Sequence, residues 1–206
     1  MYHGHELHMD KQTTQAEIIL ASSSRYRREL LQRLGIDFSC HSPSLDETPG
    51  DGEDPEQMVK RLAAAKAGAI AEDGFQGLII GADQVAVMGG RIIGKPGNQA
   101  AARLQLQQAS NNELLFLTGI SLLNTVSGHL QVDCVPCRVR FRSLNDDQIN
   151  RYLERERPFD CAGAFKSEGL GIALIAAMHT TDPTALIGLP LIRLIRMLEA
   201  EGVEVI

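Results

Sequence analysis

Glu17-Ile-Ile-Leu-Ala21-Ser-Ser-Ser-Arg-Tyr-Arg-Arg28 is the stretch that decides the fold. A short apolar run is followed at once by a Ser/Arg loop. A helical pattern then carries Leu30, Leu31 and Leu34 on one side and stops at Gly35. Strand, polar loop, helix is the opening unit of an α/β protein. The rest of the chain extends the pattern. Residues 38–41 read as a second strand, and 42–53 as a loop rich in Pro, Gly, Asp and Glu. Asp54-Pro55 is a helix start, with Asp as N-cap and Pro in the first turn. That helix is expected to pack through Met58, Leu62, Ala65 and Ala69.

Gly77-Leu-Ile-Ile-Gly81 is wholly apolar, the mark of a strand buried on both faces, with Asp83 placed just beyond it. Residues 85–88 and 91–93 around Gly89-Gly90 read as a hairpin. A Gln-rich helix over 98–109 offers Ala102, Leu104 and Leu106 for packing. Long β runs over 114–123 and 129–141 follow, then a helix over 145–154 and a strand over 172–178. An amphipathic helix over 189–201 is closed by Gly202, and a last short strand reaches Ile206. The sum is an α/β fold, a mixed sheet flanked by helices. The first 14 residues hold His3, His5 and His8 and lack a packing pattern, so they are expected to form a flexible leader before a single domain over 15–206.

With 206 residues, 44% hydrophobic and 22% charged, the chain has the composition of a globular protein. The net charge of −6 and the absence of Trp argue against a protein that coats nucleic acid. No apolar run approaches the roughly 20 residues that span a bilayer. No secretory signal is visible, so reduced thiols and a cytoplasmic location are expected for Cys40, Cys134, Cys137 and Cys161. Cys134 and Cys137 have CxxC spacing. They lie in a β run that points residues three apart to opposite faces, so a packing role is preferred to a zinc or redox site.

Several residues have phosphate and metal chemistry. Ser22, Ser24, Arg27 and Arg28 stand at a strand-to-helix junction, where free backbone N–H groups and bidentate guanidiniums suit phosphate oxygens. A plain Ser-capped helix explains Ser24 but not the clustering. Asp46-Glu47 and Asp83 are hard oxygen ligands for Mg²⁺ or Mn²⁺. Locally, an exposed turn explains the first pair, and a capping Asp explains Asp83 equally well. Lys66, amid alanines, reads as a snorkelling lysine, and Lys95 in Gly94-Lys-Pro96 as an exposed turn lysine. Nothing in their spacing says that these residues converge.

Ala21-Ser-Ser-Ser-Arg-Tyr-Arg-Arg28, Asp46-Glu47, Leu62 through Lys66-Ala67, Gly81-Ala-Asp-Gln84, Gly94-Lys-Pro96, Thr118-Gly119 and Gly188-Leu-Pro190, in this order, resemble the Maf family of nucleotide pyrophosphatases. The resemblance runs from about Ile18 to the C-terminus. It implies two lobes around a deep cleft, a fold similar to inosine triphosphate pyrophosphatase, and metal-dependent cleavage of nucleoside triphosphates to monophosphate and pyrophosphate. It also implies a homodimer. Carried over, Asp83 is the proton acceptor for the attacking water, and Glu47 with Asp83 holds the metal. Ser22, Arg27, Lys66 and Lys95 hold phosphates.

Within the family the sequence is most similar to the subgroup acting on 7-methyl-GTP, through Tyr26, Gln84 and Glu168 as specificity residues. Glu168, in Lys166-Ser-Glu-Gly169, stands where pyrimidine-type relatives carry Gln. A carboxylate accepts both N–H donors of the guanine edge, whereas an amide places a donor on one side. Tyr26 would stack on the cationic methylated base. The alternatives are a dTTP or UTP pyrophosphatase, and a non-catalytic nucleotide sensor that affects cell division.

Overall fold

The computed structural model describes residues 16–206. The expected leader over 1–14 lies outside the described residues. The opening unit forms as its sequence predicts. Strand β1 (Ile18–Ala21) is buried along its whole length. Helix α1 (Arg25–Gln32) is capped by Ser24, whose hydroxyl accepts from the Arg27 N–H. Strand β2 (Ser39–His41) follows. Helix α2 (Pro55–Ala71) starts at Asp54, which accepts from the N–H groups of Glu56 and Gln57. Strands β3 (Leu78–Met88) and β4 (Arg91–Ile93) form the hairpin, with both turn glycines at positive φ. Then come α3 (Gln99–Ala109), β5 (Glu113–Asn124), β6 (Leu130–Phe141) and α4 (Asp146–Glu156). Strand β7 (Ile175–Thr180) and helix α5 (Leu191–Ala200) complete the order.

The seven strands make one mixed sheet in the order β2-β1-β3-β5-β6-β7, with β4 added to β3. β1 is parallel to β2 and β3, and the remaining pairs are antiparallel. α2 covers one face. On the other face, Leu20, Ile80, Ala82, Ile120 and Leu122 pack with α1 and α5. Ala86, Phe116, Val139 and Phe141 pack with α3 and α4 in a second cluster.

Five expectations are corrected. Asp83 lies in the middle of β3, not beyond a short strand. β3 pairs with β5 continuously from Leu78↔Asn124 to Val87↔Leu115, and this ladder carries two polar residues through the strand. The inner face of α2 keeps Met58 and Leu62 but continues through Ala63, Lys66, Ala67 and Ile70, leaving Ala65 exposed. Leu104 is 60% exposed, because α3 packs through Ala102, Leu106 and Ala109. The expected strand over 172–178 starts at Ile175, after a 3-10 turn over Leu170–Leu174, and residues after Gly202 form no strand. Val203 instead packs into the cluster that holds α5.

β1 pairs with β3 at 78–80 and β4 pairs with it at 86–88. Between them, residues 81–85 are paired on the β5 side alone. This notch in the sheet lies between the two clusters. Side chains from both faces of β3 reach it.

Candidate active site

The notch is deepened by two glycines on the α2 face. A Cβ on Gly81 would lie 2.0 Å from the Ala63 carbonyl oxygen, and one on Gly119 would lie 2.2 Å from that of Val59. Only glycine permits so close an approach of helix to sheet. The Ser121 hydroxyl donates to the Ala63 carbonyl at 2.8 Å and fixes the contact. Lys66, one turn further along α2, is thereby set beside Asp83, which shares the β3 face of Gly81.

Lys66 is 8% exposed and Asp83 7%. The ammonium donates to Asp83 Oδ1 at 2.6 Å and lies 2.7 Å from Glu47 Oε1. Lys66 does not snorkel, because two carboxylates meet it inside the cleft. The Lys66 hydrogen bond holds the Glu47 carboxyl below the usual carboxylate range against its partial burial, with Lys95 and Arg27 assisting. Burial lowers the pKa of the Arg27 guanidinium, while the charges of Asp83 and Glu47 oppose that shift.

At the β1–α1 corner, Ser22 Oγ accepts from the Ser24 N–H at 3.1 Å and from Arg27 Nη1 at 3.4 Å. Arg27 Nε donates to the Gly188 carbonyl at 2.9 Å. The Tyr26 ring carries the Arg25 guanidinium 4.7 Å from its centroid and the Lys166 ammonium 5.9 Å away. Gln84, on the opposite face from Asp83, donates its amide to Thr118 Oγ1 at 2.9 Å and to the Ala185 carbonyl at 2.8 Å.

The resulting cavity is about 520 Å³ and is lined by Ser22, Ser24, Tyr26, Arg27, Glu47, Lys66, Asp83, Gln84 and Lys95. Two predicted residues are not among its walls. Arg28 projects from the far side of α1 and borders a separate depression with Gln32 and Asp37. Glu168 is exposed and accepts from the Ser167 hydroxyl at 3.3 Å. Arg25, Ser42 and Asp160 line the cleft without having been singled out. Asp160 and Ser42 carry no local motif. Arg25 was visible only as one more basic residue beside Arg27.

The described residues contain no group of three or more His, Cys, Asp or Glu able to hold a metal ion. Glu47 Oε1 and Asp83 Oδ1 both meet the Lys66 ammonium, which sets the two carboxylates close together. Such a pair fits a hard divalent cation that takes its other ligands from water and from substrate phosphates.

A family model described as Maf-like protein matches residues 17–201. The chain belongs to the Maf family. Its Maf relatives include a 7-methyl-GTP pyrophosphatase of Pseudomonas fluorescens, 56% identical over 91% of this chain and 97% of the relative. One of Pseudomonas aeruginosa is 53% identical over 92% and 98%. A third, of Alcanivorax borkumensis, bears the same name and is 51% identical over 91% and 95%. In Maf terms, the Ser/Arg junction, the Gly81–Gln84 segment, Lys66 and Lys95 come from distant parts of the chain to one cleft. Cys134 and Cys137 stay outside it. Both are free, and they pack on opposite sides of β6 in different clusters.

Proposed function

We propose that this Maf protein hydrolyses 7-methyl-GTP to 7-methyl-GMP and pyrophosphate, as the names of its relatives suggest. One observation carries the reading: the buried Lys66, bridged by Asp83 and Glu47, faces a cavity whose other walls hold Arg27, Lys95 and the Ser22 hydroxyl. Anionic phosphates and a water-activating carboxylate meet there.

In this mechanism Asp83 Oδ1 is held by Lys66, which leaves Oδ2 to accept a proton from the water that attacks the α-phosphorus. Attack breaks the α–β anhydride bond, and pyrophosphate leaves. Arg27, Lys95 and Lys66 offset the charge that builds on the phosphate oxygens, and their fixed placement supplies most of the barrier reduction. Glu47 and Asp83 would hold Mg²⁺ or Mn²⁺. When bound, the ion neutralises phosphate charge and makes a nearby water more acidic, which eases proton transfer to the Asp83 carboxylate.

Tyr26 and Glu168 select the base. N7-methylation gives guanine a positive charge, so the base would exchange with the Arg25 guanidinium on the Tyr26 ring. Glu168 would close onto the Watson–Crick edge from the segment that places Lys166 near the same ring. Among the described residues no helix is long and apolar enough to cross a membrane. With its cysteines free, we place the enzyme in the cytoplasm.

The test is pyrophosphate release from 7-methyl-GTP, GTP, dTTP, UTP, CTP and ITP with Mg²⁺ or Mn²⁺, using wild type and Glu168→Gln. Preference for 7-methyl-GTP that weakens in the variant supports the reading. Preference for dTTP or UTP overturns the assignment of the base. Tight binding without turnover of any nucleotide overturns the enzyme and favours a sensor.

A further inference from the structure

Asp182 is 2% exposed and lies outside the cleft, and neither phosphate binding nor proton transfer uses it. Its Oδ1 accepts from the Thr184 N–H at 3.0 Å and the Thr184 hydroxyl at 2.6 Å. Its Oδ2 accepts from the Ile192 N–H at 2.7 Å and the Arg193 N–H at 3.4 Å. The Thr184 hydroxyl in turn accepts from the Leu191 N–H at 2.8 Å. Helix α5 begins after Pro190, with no side-chain cap of its own and no acidic residue in its first turn. One carboxylate therefore caps both ends of the segment 183–190: the 3-10 turn Pro183–Ile187 and the start of α5.

The carbonyls of this strap face the cleft wall. Gln84 Nε2 donates to Ala185 O at 2.8 Å and Leu186 O at 3.2 Å. Thr118 Oγ1, itself an acceptor for Gln84, donates to Ala185 O at 2.9 Å. Arg27 Nε donates to Gly188 O at 2.9 Å. With its amide nitrogen spent on the strap, Gln84 is left to offer its oxygen, an acceptor only, to the cleft. With Nε spent, Arg27 is left to offer its terminal nitrogens. The strap thus sets which polar atom each side chain shows to a nucleotide.

We propose that Asp182 is a positioning residue for nucleotide selection: by fixing the strap 183–190 it orients the Gln84 amide and the Arg27 guanidinium. This rests on the nucleotide-hydrolase reading above. Asp182→Asn keeps the size of the side chain but replaces one acceptor oxygen by a donor, so either Thr184 or the start of α5 loses its partner. The strap carbonyls then move relative to β3.

The experiment compares kcat/KM for 7-methyl-GTP, GTP and UTP in wild type, Asp182→Asn, Gln84→Ala and the double variant. Each is assayed at a temperature where circular dichroism shows it folded. The expected result is a fall in the 7-methyl-GTP/GTP preference of Asp182→Asn on the order of tenfold, with no further fall when Asp182→Asn is added to Gln84→Ala. An equal loss on all three nucleotides, or independent effects in the double variant, overturns the proposal.

If wild type proves indifferent to the base, the functional reading fails. The positioning claim is then judged on the Gln84 side-chain amide resonances. They should move and exchange faster with solvent in Asp182→Asn, and unchanged resonances overturn it. Should Asp182→Asn not fold, Thr184→Val removes the hydroxyl between Asp182 and Leu191 while keeping the carboxylate, and the same readouts apply.

Discussion

At the scale of the residue, Lys66 decides the character of the site. A lysine among alanines on a helix usually extends its ammonium to water. This one is nearly closed off, and the close approach of Ala63 to Gly81 aims it at Asp83. Removing it would strand a buried carboxylate. Lys66→Met is therefore expected to cost about 3 kcal/mol, at the lower end of values for breaking a buried pair, because Glu47 remains largely in solvent. That corresponds to a melting temperature roughly 6–12 °C lower. Pyrophosphate release should fall with it. A melting temperature within 2 °C of wild type would show that the pair contributes little to the fold. Asp83→Asn asks a different question. It keeps the shape of the strand but removes the proton acceptor, so turnover should fall by about a thousandfold or more, while equilibrium binding of a non-hydrolysable nucleotide persists. Loss of binding in proportion to turnover would make Asp83 a binding group rather than a base.

At the scale of the element, helix α2 and strands β3 and β5 form one unit, and glycines control its spacing. Gly119→Ala puts a methyl group 2.2 Å from the Val59 carbonyl, and backbone cannot yield as a side-chain tip can. A loss of about 2–3 kcal/mol is expected, with reduced turnover because Lys66 is carried away from Asp83. Gly68, on the same helix, has no atom within 4 Å of a Cβ. Gly68→Ala should stabilise by about 0.5–1 kcal/mol. Thermal melts of the two variants should move in opposite directions, and a shared direction would refute the spacing argument. These contacts also mark how far the sequence can be read. Caps, hairpin and apolar strands were legible because Asp54, Gly89-Gly90 and Leu78-Ile-Ile80 act within a few residues. The continuation of β3 through Asp83 was not, because its partner is a strand some thirty-five residues later. The inner face of α2 was half legible for the same reason: Met58 and Leu62 follow helical spacing, but the position of the sheet selects Ala63 and Lys66 over Ala65.

At the scale of the whole molecule, the site exists because β1 and β4 leave a gap on one edge of β3, and no local pattern encodes a gap. Family resemblance supplied the convergence of Ser22, Arg27, Glu47, Lys66, Asp83 and Lys95 in advance. It did not supply the departure of Arg28 to another surface. The same folded arrangement sets how stability depends on pH. Glu47, Glu156 and Glu201 all titrate below the ordinary value of 4.5. Glu47 owes this first to its bond from Lys66, Glu201 to its bond from Asn124, and Glu156 to bonds from Lys166 and Leu170 that outweigh its burial. As pH falls below about 4.5 the unfolded chain takes up these protons before the folded one does, so stability present above that pH is lost. At the other end, burial pushes the Cys134 and Cys137 thiols up to about 11 and Cys161 up to about 12, from an ordinary 9.0. Above pH 9 the unfolded chain releases those protons first, and stability falls again as pH rises towards 11. Melting temperatures measured from pH 3 to 10.5 should therefore form a plateau between about 5 and 8.5, with both flanks declining. Replacing Cys134 and Cys137 by Ala should make the alkaline flank shallower, with Cys161 still contributing, and leave the acid one in place. An alkaline flank that survives the double replacement unchanged would show that the buried thiols do not set it.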